Sequence, residues 1–435
     1  MGVLRMQRIT DEPQRLRSVR SRRTLISVLT LLCLIGSAPG ALASEMNLGP
    51  FSLGPYAAPP PEDYNLRLGT MRLGLTAKMG ARYDDNVDRT SDDETGSASV
   101  GPGLGLRVYW PVSPYLQIRT SAAATYWYSS DDNADNGLEV TGPGNRGSDA
   151  TVSAGIAPCE HVRLRLADSY IRGDSSLSLA HMGVTRDAIV SNNETSLQAD
   201  VEWTKRITSL TRVAHTIHWA ADTTYDYLDF SRESADQAVL WRLNKQLQAG
   251  PYGAWETTTY SADKHNDSRE VSGGLAVVYD RGYSFNASAR VGLANLSFDD
   301  SNVPGATSDY TGLTFGAACR FATTARFYHT LSVDYEAAQE NIVAANYAKE
   351  LTTRYGVQVK LRPRLIVSGD VAWVNARQSD GGERANLYQG GVGVSYELTE
   401  RVTPTLSYQR AQKTSDVDRL DYVDNLVALS LSYRF

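Results

Sequence analysis

The sequence predicts an all-β fold, a transmembrane, antiparallel up-and-down β-barrel of about eighteen strands with short periplasmic turns and long extracellular loops. Three observations predict it. The chain begins with an export leader, runs of alternating apolar and polar residues recur at regular spacing, and the last such run ends at Phe435. Because a barrel wall faces lipid on one side and water on the other, a mean hydropathy of -0.34 is compatible with a membrane protein.

The first 43 residues have the three parts of a cleaved signal peptide. Several arginines, among them Arg20, Arg22 and Arg23, precede the uncharged apolar run at residues 25–35. Ala41 and Ala43 supply the small residues of a cleavage site, so we expect cleavage after Ala43 and export of the chain. The apolar run is too short for a membrane-spanning helix, and no other stretch is long enough to be one.

The expected mature chain is acidic. The leader carries seven Arg and two acidic residues, and its removal leaves 36 Lys or Arg against 47 acidic residues. Such a balance argues against nucleic acid as a partner. Cys159 and Cys319 are the cysteines left after cleavage. Two cysteines so far apart make no disulfide framework, and we favour two unpaired thiols over one disulfide.

Two segments follow the leader. Residues 44–65 are rich in Gly and Pro without periodicity, which indicates an extended periplasmic linker too short to form a plug. Residues 66–435 repeat one unit, in which two alternating runs are joined by a tight turn and followed by a polar loop. The eight predicted tight turns lie at residues 111–114, 158–161, 205–208, 244–246, 280–282, 323–325, 362–364 and 400–403.

The runs alternate strictly. In one of them Leu197, Ala199 and Val201 alternate with Asp200 and Glu202. Ionisable residues at spacing two are hard to place in a soluble sandwich, whose interior is apolar, but they fit a wall with lipid outside and water inside. Eight turns and nine loops give eighteen strands, with sixteen as the alternative count. The expected outer loops include residues 83–95, 129–149, 173–193 and 260–267.

Aromatic residues cluster near the predicted strand ends, as expected at the two membrane interfaces. Examples are Tyr109 with Trp110, the run 126–128, Trp203, Trp241 and Tyr279. The last run places five residues on one face: Val427, Leu429, Leu431, Tyr433 and Phe435. A final strand ending in aromatic-x-Phe resembles the signal that the outer-membrane assembly machinery recognises. We therefore expect that machinery, membrane lipid and lipopolysaccharide as partners, and the outer membrane as the location.

The arrangement resembles the putative β-barrel porin 2 family and related outer-membrane barrels encoded with surface-polysaccharide genes. The resemblance depends on residues 80–87, which contain a Tyr-Asp-x-Asn-Val element, on the turn sequence at 396–403, and on the C-terminal Phe435. It implies an outer-membrane pore with a link to polysaccharide export. The family does not define a substrate.

Alternation directs many ionisable residues into the predicted lumen. The candidates for its lining are Arg119, Arg163, Arg165, Asp200, Glu202, Arg212, Arg242, Glu256, Arg320, Asp334, Arg354, Lys360 and Asp370. Glu336 has the same alternation. Opposed charges across a pore would favour hydrated solutes, whereas charges that pair across neighbouring strands would only stabilise the wall. We expect most of them to pair and a minority to set selectivity.

We predict no catalytic residue, no cofactor and no metal site. The sequence has no G-x-S-x-G, H-E-x-x-H or C-x-x-C motif. His215 and His218 should point to opposite faces of one strand because their spacing is odd. The acidic motif at 131–135 lacks the Gly and Glu that complete a calcium loop, and we interpret it as a solvated loop.

Two functions therefore remain open. The first is a passive channel for hydrophilic small solutes or saccharide, with residues 129–149 as a segment that narrows the lumen. The second is an occluded structural or adhesin-type barrel that acts through its outer loops. A hydrolase is the least favoured. The sequence carries no signal for an oligomeric state.

Overall fold

The computed structural model describes residues 64–87, 89, 94–130, 137–141, 150–174, 189–221, 223–261, 265–282, 284–299, 309–339, 345–379, 381–417 and 420–435. The predicted leader, all but two residues of the predicted linker and the acidic motif at 131–135 lie outside these ranges. Among the described residues, no helix has the length and apolar character needed to cross a membrane. Within the ranges given above, one 3₁₀ helix is present, Thr223–Leu228.

Nearly all of the described chain is β-strand. The strands are β1 Leu66–Leu68, β2 Met71–Asp84, β3 Ser97–Ser113, β4 Leu116–Ser129, β5 Gly137–Thr141, β6 Ala150–Cys159, β7 Val162–Asp174, β8 Ile189–Thr204, β9 Ile207–Ala220, β10 Phe230–Arg242, β11 Leu247–Tyr260, β12 Ser268–Asp280, β13 Phe285–Phe298, β14 Tyr310–Thr324, β15 Phe327–Ala338, β16 Ala348–Arg362, β17 Leu365–Gln378, β18 Arg384–Tyr396, β19 Val402–Ser415 and β20 Tyr422–Arg434. From β2 onward each strand pairs antiparallel with its neighbours.

The sheet closes into a barrel because the last strand pairs with β2. Nine residue pairs join β20 to β2, from Thr76↔Arg434 to Asp84↔Leu426. We call this pair of strands the seam. β1 lies outside the ring, and β5 and β6 share one strand position beside β4. The closed ring therefore contains eighteen strands, which confirms the predicted fold class and the larger of the two strand counts. The short β1 forms a small hairpin with the start of β2, turning at Gly69, whose φ is 61°.

All eight predicted tight turns connect neighbouring strands, although their bounds shift by up to three residues. The connections are 114–115, 160–161, 205–206, 243–246, 281–284, 325–326, 363–364 and 397–401. A side-chain oxygen stabilises several of them. Thr204 Oγ1, for example, accepts hydrogen bonds from the backbone N–H groups of Arg206 and Ile207, at 3.1 and 3.0 Å. Such local acceptors are why Ser, Thr and Asn recur where these strands reverse.

One strand of the wall is interrupted. β5 pairs with the half of β4 nearer the outer loop, where Ala123 opposes Thr141. β6 pairs with the half of β4 nearer the tight turn, where Ser121 opposes Thr151. Thr141 and Thr151 thus occupy consecutive inner positions along β4, although nine residues separate them in sequence. The prediction that residues 129–149 form one outer loop is therefore wrong for 137–141, which belong to the wall.

The two faces of the wall differ as the alternation predicts. Large apolar side chains on one face are exposed, for example Leu104 at 67% and Leu293 at 65%. Residues of the opposite parity are mostly half-buried or buried, because side chains crowd together inside a closed barrel. The exposed apolar face is the outer, lipid-contacting face. The five residues of the predicted assembly signal all lie on this face, with exposures of 38–55%.

The inner face is not polar throughout. Leu210, Ala238, Leu240, Ala276 and Val278 pack together on the inner side of β9, β10 and β12, with Tyr252 of β11 among them. Leu240 and Ala276 have no exposed surface. Alternation alone predicted a uniformly wet inner wall here. Side chains of adjacent strands instead exclude water by packing laterally, which stabilises the wall near the tight turns.

Candidate functional site: the inner wall

The thirteen predicted lining residues share the parity of the inner face in their strands. Arg119 lies on the same face of β4 as the buried Gln117 and Thr125, and Asp370 lies on the same face of β17 as the buried Val374. Cross-strand registers agree, since Arg163 opposes Asp200 and Arg165 opposes Gln198. The remaining members follow the same rule: Glu202, Arg212, Arg242, Glu256, Arg320, Asp334, Arg354 and Lys360.

Part of this set forms ion pairs between neighbouring strands. Arg212 of β9 lies 2.5 Å from Glu194 of β8 and 3.8 Å from Asp236 of β10. Arg232 lies 3.2 Å from Glu256 on the adjacent strand β11. These side chains are 2–26% exposed, so the pairs are partly shielded from water and less weakened by salt than surface pairs.

Acidic residues exceed basic ones along this part of the wall. Glu256 directly opposes Glu270, and Glu336 directly opposes Glu350. Like charges in register repel, and Arg290, 4.0 Å from Glu336, offsets only part of this. We call this set the acidic arc: Glu194, Asp236, Glu256, Glu270, Asp334, Glu336 and Glu350, with Arg212, Arg232, Arg290 and Arg354. Its seven acids and four bases give a net negative charge.

The opposite part of the ring is basic. We call the inner residues of β2, β3, β4 and β7 with positive charge the basic arc: Arg72, Lys78, Arg82, Arg107, Arg119, Arg163 and Arg165. Among described inner residues of β2–β7, the acids are Asp84 at the outer rim and Glu139. In a ring of eighteen strands, β2 lies nine strands from β12 in either direction, and β7 lies nine strands from β16. The basic arc therefore lies across the ring from Glu270 and Glu350 of the acidic arc, with most of its members nearer the tight turns and those two acids nearer the outer loops.

Trp127 is an inner-wall residue that sequence analysis misplaced. It was grouped with Tyr126 and Tyr128 as an interface aromatic, but those two are 41% and 54% exposed on the outer face, whereas Trp127 is 9% exposed on the inner face. A Cβ on Gly80 would come within 2.7 Å of its ring, so only glycine leaves room for it. Alternation within the run 126–128 was the signal that separates them.

Polar contacts hold this indole in place. The Arg82 guanidinium lies 4.5 Å from its ring centroid, within cation–π range. Its Nε1–H donates to the Glu139 carboxylate of β5. Tyr109 was also predicted at the interface and is likewise inside, 6% exposed, with Arg119 5.6 Å from its ring. The basic arc therefore contains aromatic faces between its cations.

Other predicted features lie where the parity places them. His215 is exposed on the outer face, and His218 is buried on the inner face, stacked on Phe230 at 4.8 Å. This confirms that they point to opposite sides. Trp203 and Trp241 lie at the tight-turn end of the outer face, 67% and 44% exposed, as an interfacial belt requires. Cys159 and Cys319 are free thiols.

A protein-family model matches the C-terminal part of the chain. Residues 244–435 match the model of the family described as putative beta-barrel porin 2. The resemblance inferred from the sequence is thereby confirmed over strands β11–β20. No curated protein matches the chain. Over these residues the protein is similar to a family of porins, and its closed antiparallel ring of strands is the architecture of outer-membrane porins.

Several solved outer-membrane barrels are similar in wall architecture. OccK3 (OpdO) of Pseudomonas aeruginosa is 14% identical, with 83% of this chain and 96% of that chain covered and a TM-score of 0.44. OccAB4 of Acinetobacter baumannii is 12% identical, with 86% and 100% covered and a TM-score of 0.44. Nothing about function follows from similarities at this level.

Proposed function

We propose that this porin-like barrel is a passive channel for hydrophilic solutes, saccharides among them, across the outer membrane. The single observation that carries the proposal is the placement of the basic arc opposite the acidic arc. Charges of opposite sign on facing walls produce a transverse field across the space between them. A hydroxyl-rich or zwitterionic solute can exchange its water for such groups, whereas an apolar solute would displace water from the charged wall groups without replacing the lost hydrogen bonds.

The wall groups act without covalent chemistry. Arg212 and Arg232 are tied to carboxylates on adjacent strands, so their guanidinium groups are held against the wall. Fixed dipoles of this kind need no reorganisation when a solute passes. The finer assignment to saccharide, including export of surface polysaccharide, is supported by the family resemblance and by this hydrogen-bonding capacity.

Uptake of neutral sugars into proteoliposomes tests the channel. We expect liposomes containing the refolded protein to swell in isotonic monosaccharide faster than protein-free liposomes, with rates that fall as sugar size increases. Arg163→Glu with Arg165→Glu is the companion variant. Because glutamate carboxylates hydrogen-bond sugar hydroxyls as guanidinium groups do, and a neutral sugar does not sense the sign of the charge, sugar rates should change less than about twofold in it.

The occluded structural or adhesin-type barrel predicts a different result. Correctly folded protein would then give the same swelling as protein-free liposomes for every sugar. That outcome would contradict the channel. Folding is checked in the same samples by the heat-dependent electrophoretic mobility typical of outer-membrane barrels.

A further inference from the structure

The outer end of the seam carries a cluster of carboxylates outside both arcs. Asp84 ends β2, Asp85 follows it, and Asp424 lies on β20. One carboxylate oxygen from each of the three lies within 4.8 Å of the other two. We propose that this cluster is a divalent cation site, with Ca²⁺ as the fitting ion, and that the ion joins the first and last long strands. The proposal is independent of transport.

Charge balance favours a cation here. Three carboxylates face the guanidinium of Arg89, whose Nε lies 3.3 Å from Asp424 Oδ2. With all three ionised, the cluster and Arg89 together carry two negative units, which match the charge of one divalent ion. Hard oxygen ligands are what Ca²⁺ prefers, and its six to eight ligands at variable angles can combine carboxylates with water.

An unsatisfied buried oxygen is the independent observation. Asp424 is 7% exposed, and while Oδ2 contacts Arg89, its Oδ1 is buried and accepts no hydrogen bond from any described residue. A buried carboxylate oxygen without a partner costs free energy, since it has lost water and gained nothing. Coordination to a cation shared with Asp84 and Asp85 would remove that cost.

The Tyr-Asp-x-Asn-Val element positions the ligands. Asn86 is fully buried, its backbone N–H donates to Asp84 Oδ1 at 3.0 Å, and its side-chain amide donates to the Val423 carbonyl at 2.8 Å. Asp85 accepts hydrogen bonds from the backbone N–H and the side chain of Asn425, at 2.7 and 2.8 Å. The element that opens the barrel is thus attached to β20 on both sides of Asp424.

An ion bound at this position would cross-link two strands that are far apart in sequence. Asp84 and Asp424 lie 340 residues apart in sequence and come together only when the barrel has closed. Cross-links that close long loops are those that most restrict the unfolded chain. The ion would therefore bind the closed barrel in preference to open forms and stabilise it by that difference in affinity.

Equilibrium dialysis with radioactive Ca²⁺ tests the site on protein refolded without lipopolysaccharide, whose phosphates also bind calcium. We expect one Ca²⁺ per wild-type chain, and a loss of at least about tenfold in affinity in Asp424→Asn and in Asp84→Asn. Asp229→Asn is the matched control, because this carboxylate lies beside β10 outside the site and should leave binding unchanged.

Thermal unfolding supplies the second measurement. Ca²⁺ should raise the unfolding midpoint of wild type and of Asp229→Asn, and leave that of Asp84→Asn unchanged. If Asp424→Asn does not fold, Asp84→Asn alone decides the question. Absence of bound Ca²⁺ in wild type, or binding in both site variants as tight as in wild type, would overturn the proposal; a proton shared by Asp84 and Asp424 would give the first of these results.

Discussion

Replacing Lys413 with methionine should lower the free energy of unfolding by about 3–5 kcal/mol. Lys413 is 1% exposed, and its Nζ lies 2.8 Å from Glu383 Oε1. Methionine fills a similar volume but removes the cation beside the buried Glu383 carboxylate, which also accepts a hydrogen bond from the Ser415 hydroxyl at 2.7 Å. The measurement is urea unfolding of the barrel in detergent micelles, followed by tryptophan fluorescence.

Two further variants separate loss of the charge from loss of packing. Lys413→Met combined with Glu383→Gln should recover part of the stability, because the uncompensated charge is gone. Lys360→Met removes an exposed lysine of the inner face and should change stability by less than about 0.5 kcal/mol. Equal losses in Lys413→Met and Lys360→Met would show that the buried pair contributes nothing to the fold.

Charge reversal in the basic arc should shift ion selectivity strongly toward cations. Arg163→Glu with Arg165→Glu changes the wall charge by four units. One unit charge about 7 Å from a permeating ion in water is worth about 0.6 kcal/mol, and 0.1 M salt reduces this by about half. Four units then give about 1.2 kcal/mol for each ion, favourable for potassium and unfavourable for chloride, so by the resulting difference of about 2.4 kcal/mol the potassium-to-chloride permeability ratio should increase by roughly sixtyfold.

Reversal potentials in a salt gradient across a planar bilayer measure this ratio. The matched control is Arg206→Glu with Arg364→Glu, which changes the charge equally at exposed positions of two tight turns. Its shift should be much smaller, because these side chains lie in open solvent at the end of the barrel. If both pairs shift the ratio equally, the basic arc does not border the ion path.

The wall was predictable because its signals are local. A tight turn needs particular residues such as Thr204, and a spanning strand needs a period of two, so strand number and face could be read along the chain. The five outer residues of β20 illustrate this, since one parity assigns them all. Trp127 could have been placed inside by the same rule.

Features that depend on distant residues were not predictable. β5 belongs to the wall because Thr141 reaches Ala123 of β4, and the polar stretch around it reads as a loop. Asp84 and Asp424 meet only through closure of the ring. The buried inner cluster around Leu240 depends on which strands are neighbours. The opposition of the two arcs likewise requires the number of strands between them.

Single-channel recording in planar bilayers tests most directly whether the inner wall encloses a continuous aqueous path. We predict stepwise currents from the purified wild-type barrel, with a conductance that rises in proportion to KCl concentration at high salt. Persistent silence from protein shown to be folded and inserted would contradict the account, because two facing charged walls without water between them cannot conduct.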